Sequence, residues 1–210
     1  MKRNVMLVMC LMVLSSGVFA LDKAIGGGIL FNATSTNGSI NAKTIDAELT
    51  GNFDWTMSRT GFGVFGFFGL NQFIELNLGF LYKNPSELEL SYGGQTQKMK
   101  DSGIDSVGAL QFGVYGKYPI PISDMLVFFP TGGVDFELTL GGGSDSETGF
   151  DWWSDFWIRG GVGLDVFISE TMFVRSHLIY GAAIPVGGSS DLGLSFGHGL
   201  LIKVGLGLML

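Results

Sequence analysis

Eight charged residues sit inside otherwise apolar stretches of this 210-residue chain: Glu75, Lys117, Asp135, Glu137, Arg159, Asp165, Arg175 and Lys203. Four are acids and four are bases. Such a set could line a charged pore or gate, or it could fill a narrow interior as mutually neutralising ion pairs. Desolvated charges cost several kcal/mol each unless paired, so equal numbers are what a filled interior requires. Two histidines add a second chemistry. His177 follows Ser176, but adjacent residues of a strand face apart, so this pair cannot act together as base and nucleophile. His198 lies near Ser195 and leaves a hydrolase at a membrane edge open. With two histidines and no ligand-spaced cluster, the sequence offers no metal site and no cofactor site.

The elements that hold these residues are strands. Gln72–Tyr82 reads QFIELNLGFLY, with Ile74, Leu76, Leu78, Phe80 and Tyr82 on one face and Glu75, Asn77 and Gly79 on the other. Period-two alternation with no charge on the apolar side marks a strand lying between two different solvents. The pattern recurs, and no helical stretch offers itself as a cover. The expected fold is all-β: a closed antiparallel up-and-down transmembrane barrel of eight strands, with lipid outside and a small polar lumen inside.

The strands are expected over 23–32, 58–68, 72–82, 107–118, 125–138, 155–167, 171–182 and 198–210. Long connections at 33–57, 83–106, 139–154 and 183–197 alternate with short turns at 69–71, 119–124 and 168–170. Outer-membrane barrels have this rhythm, with long loops extracellular and short turns periplasmic, which places both termini in the periplasm. Pro130 falls inside a strand, and a bulge or kink is expected there. A hairpin centred on Glu170 sets Asp165 opposite Arg175. Counted from the turn end, Glu75, Lys117, Asp165 and Arg175 form a low level, and Asp135, Glu137, Arg159 and Lys203 a higher one.

Residues 1–20 read as a cleaved signal peptide: Lys2 and Arg3, an apolar run over 5–14, and Val18-Phe19-Ala20 before the cut. Cys10 is then a hydrophobe of the signal. Residues 21–210 form one domain with no cysteine and no disulfide framework. Ten Lys and Arg against nineteen Asp and Glu leave that domain at −9, which argues against nucleic acid and anionic-lipid surfaces as partners. Phe53, Trp55, Trp152, Trp153, Phe156 and Trp157 gather at the loop ends and read as an outer aromatic girdle or as a binding patch.

Residues 203–210, KVGLGLML, resemble the C-terminal assembly signal of bacterial outer-membrane barrels. Lys203, Gly205, Leu208 and Leu210 fill its places, with leucines where the pattern prefers aromatics. The whole mature chain resembles the small eight-stranded outer-membrane family of opacity-protein, OmpX, OmpW and OmpA-barrel types. The resemblance implies an outer-membrane location and contact with outer-membrane lipid and with the barrel-assembly machinery; from the Ser and His positions, no enzymatic activity is expected. The resemblance further implies a surface scaffold or adhesin-like interaction protein with a plugged lumen, meeting a host or extracellular ligand through loops 33–57 and 83–106. The alternative is a narrow OmpW-like channel for small hydrophobic solutes, lined in part by Phe65, Phe67 and Phe73.

Overall fold

The computed structural model describes residues 23–41, 52–84, 87–93, 95–99, 106–140, 153–186 and 196–210. The expected signal peptide, Cys10, Trp152 and Ser195 lie outside them. Eight strands close the wall: β1 (Ala24–Asn41), β2 (Asn52–Gly69), β3 (Ile74–Lys83), β6 (Val107–Lys117), β8 (Leu126–Leu140), β9 (Trp153–Phe167), β10 (Met172–Val186) and β11 (Phe196–Met209). Each pairs antiparallel with its neighbour, and β1 pairs with both β2 and β11, so the seam is sealed. Three short strands stand beside the wall: β4 (Glu87–Tyr92), β5 (Gln95–Met99) and β7 (Ile120–Ser123).

The register fixes the tilt. A row of partners starting at Asn32 runs through Gly61 and Lys83 to Val107 on β6. In the other direction it runs through Leu201, Ile179, Gly161 and Thr131 and reaches β6 at Lys117, ten residues lower. A stagger of ten over eight strands inclines each strand at roughly 40° to the axis. The interior of so small a barrel holds little beyond its own side chains.

Turn chemistry closes one end. Asn71 Oδ1 accepts from the backbone N–H of Phe73 and of Ile74, both at 2.8 Å, and Ser169 Oγ accepts from Met172 N–H at 3.0 Å. Leu210 N–H donates to Lys23 C=O at 2.8 Å, so the two ends of the wall meet there.

At the other end the strands run further than the apolar alternation indicates. β1 continues from Asn32 to Asn41 and β2 starts at Asn52, so most of the loop expected over 33–57 is paired backbone. The second expected loop, 83–106, gives Lys83 to β3 and holds the β4–β5 hairpin, whose β4 pairs with β2 over Asp54–Ser58. Pro130 produces no bulge; the β8–β9 register runs through it unbroken. Its carbonyl accepts from Tyr118 N–H at 3.1 Å, and the proline lies where β8 passes from β6, which ends with Lys117 opposite Thr131, to β7, which starts with Ile120 opposite Phe128. The register shift lies instead at Pro121–Ser123, where β7 meets β8.

Candidate functional site: the filled lumen

Inward side chains of the eight strands are buried in layers. The floor, at the turn end, is apolar: Phe173, Phe67, Phe167, Met209 and Ala24 pack together, with ring centroids 5.5 Å apart for Phe167–Phe173 and 6.2 Å for Phe67–Phe173.

Above the floor, Arg175 reaches two acids. Its Nε and Nη2 donate to the two oxygens of Asp165 at 2.7 and 2.6 Å, a bidentate pairing between directly opposite residues. Its Nη1 donates to Glu75, whose Oε2 also lies 3.3 Å from Lys117 Nζ. The guanidinium stands over the rings of Phe67 and Phe173 at 4.6 and 4.7 Å. Glu75, Lys117, Asp165 and Arg175 thus form one neutral cluster.

The next layer is joined to it by amides. Asn77 Nδ2 donates to Glu75 Oε1 at 2.9 Å, and Asn77 Oδ1 accepts from Lys203 Nζ at 3.0 Å. Lys203 is therefore held by an amide and by the face of Tyr115, 4.8 Å away. Asp135 collects three groups: Tyr115 Oη–H donates to it, Gln111 Nε2 donates at 3.1 Å, and Arg159 Nε lies 2.5 Å from its Oδ2. The Arg159 contact is a close charge contact rather than an aligned hydrogen bond. Highest, Glu137 accepts from Lys83. His177 is buried with its ring edge on Phe129, centroids 5.2 Å apart, and it faces Lys203 across the β10–β11 pair.

Sequence reasoning missed four of these side chains. Lys83 falls in the loop expected over 83–106, although 75, 77, 79, 81 and 83 keep one face. Tyr115 reads as an apolar residue until its hydroxyl is placed. Gln111 and Asn77 show only as polar positions on an inward face. The geometry also explains a glycine. A Cβ on Gly113 would come within 1.9 Å of Asp135 Oδ1 and 2.9 Å of the Tyr115 ring. Gly113→Ala is expected to push the Asp135 carboxylate off its partners and lower stability by about 1–3 kcal/mol, read as a shift of the urea midpoint in lipid vesicles.

Outside the wall the face is apolar: Phe31, Phe62, Phe80, Tyr82, Phe112, Phe136 and Tyr180 are exposed at the loop-end margin, with Phe62 and Tyr82 ring to ring at 5.6 Å. No family model matches the chain, and no curated protein aligns with it. Among solved structures, the outer membrane protein OprG from Pseudomonas aeruginosa superposes with a TM-score of 0.53 at 15% identity, over 91% of this chain and 96% of that one. The chain has the fold of an outer-membrane β-barrel. The outer membrane protease OmpT from Escherichia coli matches at 10% identity and a TM-score of 0.44, over 90% and 96% of the two chains. Ail, the attachment invasion locus protein of Yersinia pestis, solved with the heparin analogue sucrose octasulfate, matches at 11% and 0.35, over 87% and 98%.

The expected aromatic girdle needs correction. Trp157 is not at the lipid face; it is buried in the lumen, where the Arg159 guanidinium lies 4.2 Å from its ring. Its strand parity puts it opposite Asp135, an inward residue. Trp55 lies on the β2 extension paired with β4, its ring across Gly38 of β1. Of the six residues, Phe156 is on the outward face, opposite Phe136; Phe53 and Trp153 are placed in their strands by backbone alone. Of the assembly-signal residues, Lys203 and Gly205 face inward, while Leu208 and Leu210 are exposed on the outer side.

Proposed function

We propose that this protein is an integral outer-membrane barrel with a sealed lumen, a scaffold that presents its loop end to extracellular partners. In this reading both termini are periplasmic, and the β1–β2 extension and the β4–β5 hairpin project outside the cell. The observation that carries it is the lumen, filled from an apolar floor through linked ion pairs to Lys83–Glu137. The alternative conduit for small hydrophobic solutes would need Phe65 and Phe67 to line an open passage. Both are buried, 6.2 Å apart and stacked on one another. Phe73 sits at the turn end against Tyr118, centroids 6.4 Å apart.

The reading is of a non-enzymatic protein. On the outer wall, His198 stands opposite Ser35, Ser35 opposite Ser58, and Ser58 opposite Glu87. A Ser–His–acid relay needs the acid beside the histidine to orient it. Here the acid lies beside a serine, at the far end of the row.

The test is conductance. Refolded protein in planar bilayers is expected to show no steady channel across ±100 mV, roughly the range of a membrane potential. Discrete, long-lived openings of the unmodified protein would count against a sealed scaffold. Trimming the β4–β5 hairpin to a short turn should leave the barrel folded and remove extracellular binding.

A further inference from the structure

The lipid-facing side of β11 runs Phe196, His198, Leu200, Ile202, Val204, Leu206 and Leu208, so a single imidazole interrupts an apolar row. Phe196 beyond it and Tyr180 and Ile184 on the neighbouring strand are all more than half exposed. His198 is therefore not above the apolar belt but set into its margin. Polar side chains on the outside of a membrane wall are costly unless they meet a polar partner, and they mark function more often than chance.

His198 is not alone. Ser35 lies directly opposite it, and Ser58 opposite Ser35. Thr60 lies one outward step below Ser58, with Asn84 Nδ2 donating to its hydroxyl at 3.0 Å. These residues line one groove of about 580 Å³ on the outer wall, with Tyr180 at its lower edge and Glu87 at its upper one. The Tyr180 and His198 rings lie side by side, centroids 6.1 Å apart and inclined by 31°.

The chemistry selects a ligand class. Three hydroxyls, an amide and a carboxylate exchange hydrogen bonds with hydroxyl groups, which are both donors and acceptors. Two adjacent rings offer a flat face to the C–H side of a pyranose. Arg59 also lines the groove, but its strand parity turns its side chain inward, toward Glu137 and Asp155. Glu87 is then the charge at the opening, and it disfavours recognition through a phosphate alone. The groove opens where an outer-leaflet lipid places its headgroup, and the apolar wall below Tyr180 and Leu200 continues along its acyl chains.

We propose that this groove binds the sugar headgroup of an outer-leaflet glycolipid. The proposal rests on the outer-membrane reading above, with the loop end outside. The experiment uses the mature protein folded in nanodiscs containing phospholipid with a minor fraction of rough-type lipopolysaccharide. Native mass spectrometry then counts the lipid retained per barrel. One glycolipid per wild-type barrel is expected, and occupancy roughly tenfold lower in Tyr180→Leu and in the double variant Ser35→Val/Ser58→Val. The heat-modifiable band of each variant must remain, showing a folded barrel. Enzymatic removal of the glycolipid's phosphates should leave occupancy in place.

Equal retention of phospholipid, unchanged occupancy in both variants, or loss of binding with the phosphates would overturn the proposal. Recovery of a shortened glycolipid would replace binding by hydrolysis and overturn it equally. Failure of the outer-membrane reading looks different: the protein would not enter nanodiscs at all.

Discussion

Glu75→Ala is expected to destabilise the folded barrel by about 3–5 kcal/mol, the usual cost of removing one partner from a buried ion pair. Glu75 is fully buried and touches Arg175, Lys117 and Asn77 together. Without it, Arg175 keeps Asp165 at 2.6 Å, but Lys117 loses its carboxylate and Asn77 loses its acceptor. Asn77 also positions Lys203, so the damage reaches the next layer. Urea titration in lipid vesicles, following the heat-modifiable band, measures the loss. Glu75→Gln keeps the volume and an acceptor for Asn77, so it should cost less than alanine. The double variant Glu75→Ala/Lys117→Met removes the stranded charge and should recover part of the loss. If Glu75→Ala unfolds at the wild-type urea concentration, the cluster fills space and contributes nothing else.

The wall was legible in the sequence wherever its two sides meet different solvents. β3 alternates without exception from Ile74 to Lys83 because lipid lies on one side and the lumen on the other. That contrast ends above the belt. From Thr34 to Asn37 β1 is polar on both faces, so Thr34, Ser35, Thr36 and Asn37 carry no alternation and read as loop, although they pair with β2 residue by residue. The β4–β5 hairpin was hidden for the same reason. Aromatic residues at a strand's start suggest a girdle, but parity with Arg159 puts Trp157 inside. Asp165 opposite Arg175 needed only hairpin arithmetic. The partners of Glu75, drawn from β3, β6 and β10, needed the stagger of the whole barrel, which no local pattern encodes. Pro130 shows the limit of a residue rule: it falls at the break between β6 and β7, where the ladder on that side of β8 is already interrupted, and the β9 side runs on unbroken.

Val134 and Asp135 are neighbours in the chain and differ completely in surroundings, and this gives the sharpest test of sidedness. Val134 is 39% exposed on the outer wall, opposite Val114 and Ile158, while Asp135 is 0% exposed in the lumen. Val134→Arg puts a guanidinium into hydrocarbon and is expected to cost about 2–4 kcal/mol, falling if the site lies nearer the interface. Asp135→Ala acts from the other side. It leaves Arg159 without its carboxylate and Tyr115 and Gln111 without their acceptor, and the expected cost is about 3–5 kcal/mol. The two losses have different remedies. Arg159→Met added to Asp135→Ala should recover stability, because it removes the stranded lumen charge; added to Val134→Arg it should not, because that charge faces lipid. Refolding the Val134→Arg protein in short-chain detergent micelles, which admit water to the wall, should shrink its penalty while leaving that of Asp135→Ala in place. Equal response of both variants to the change from vesicle to micelle would mean that the two side chains share one environment, which a single-layered wall does not allow.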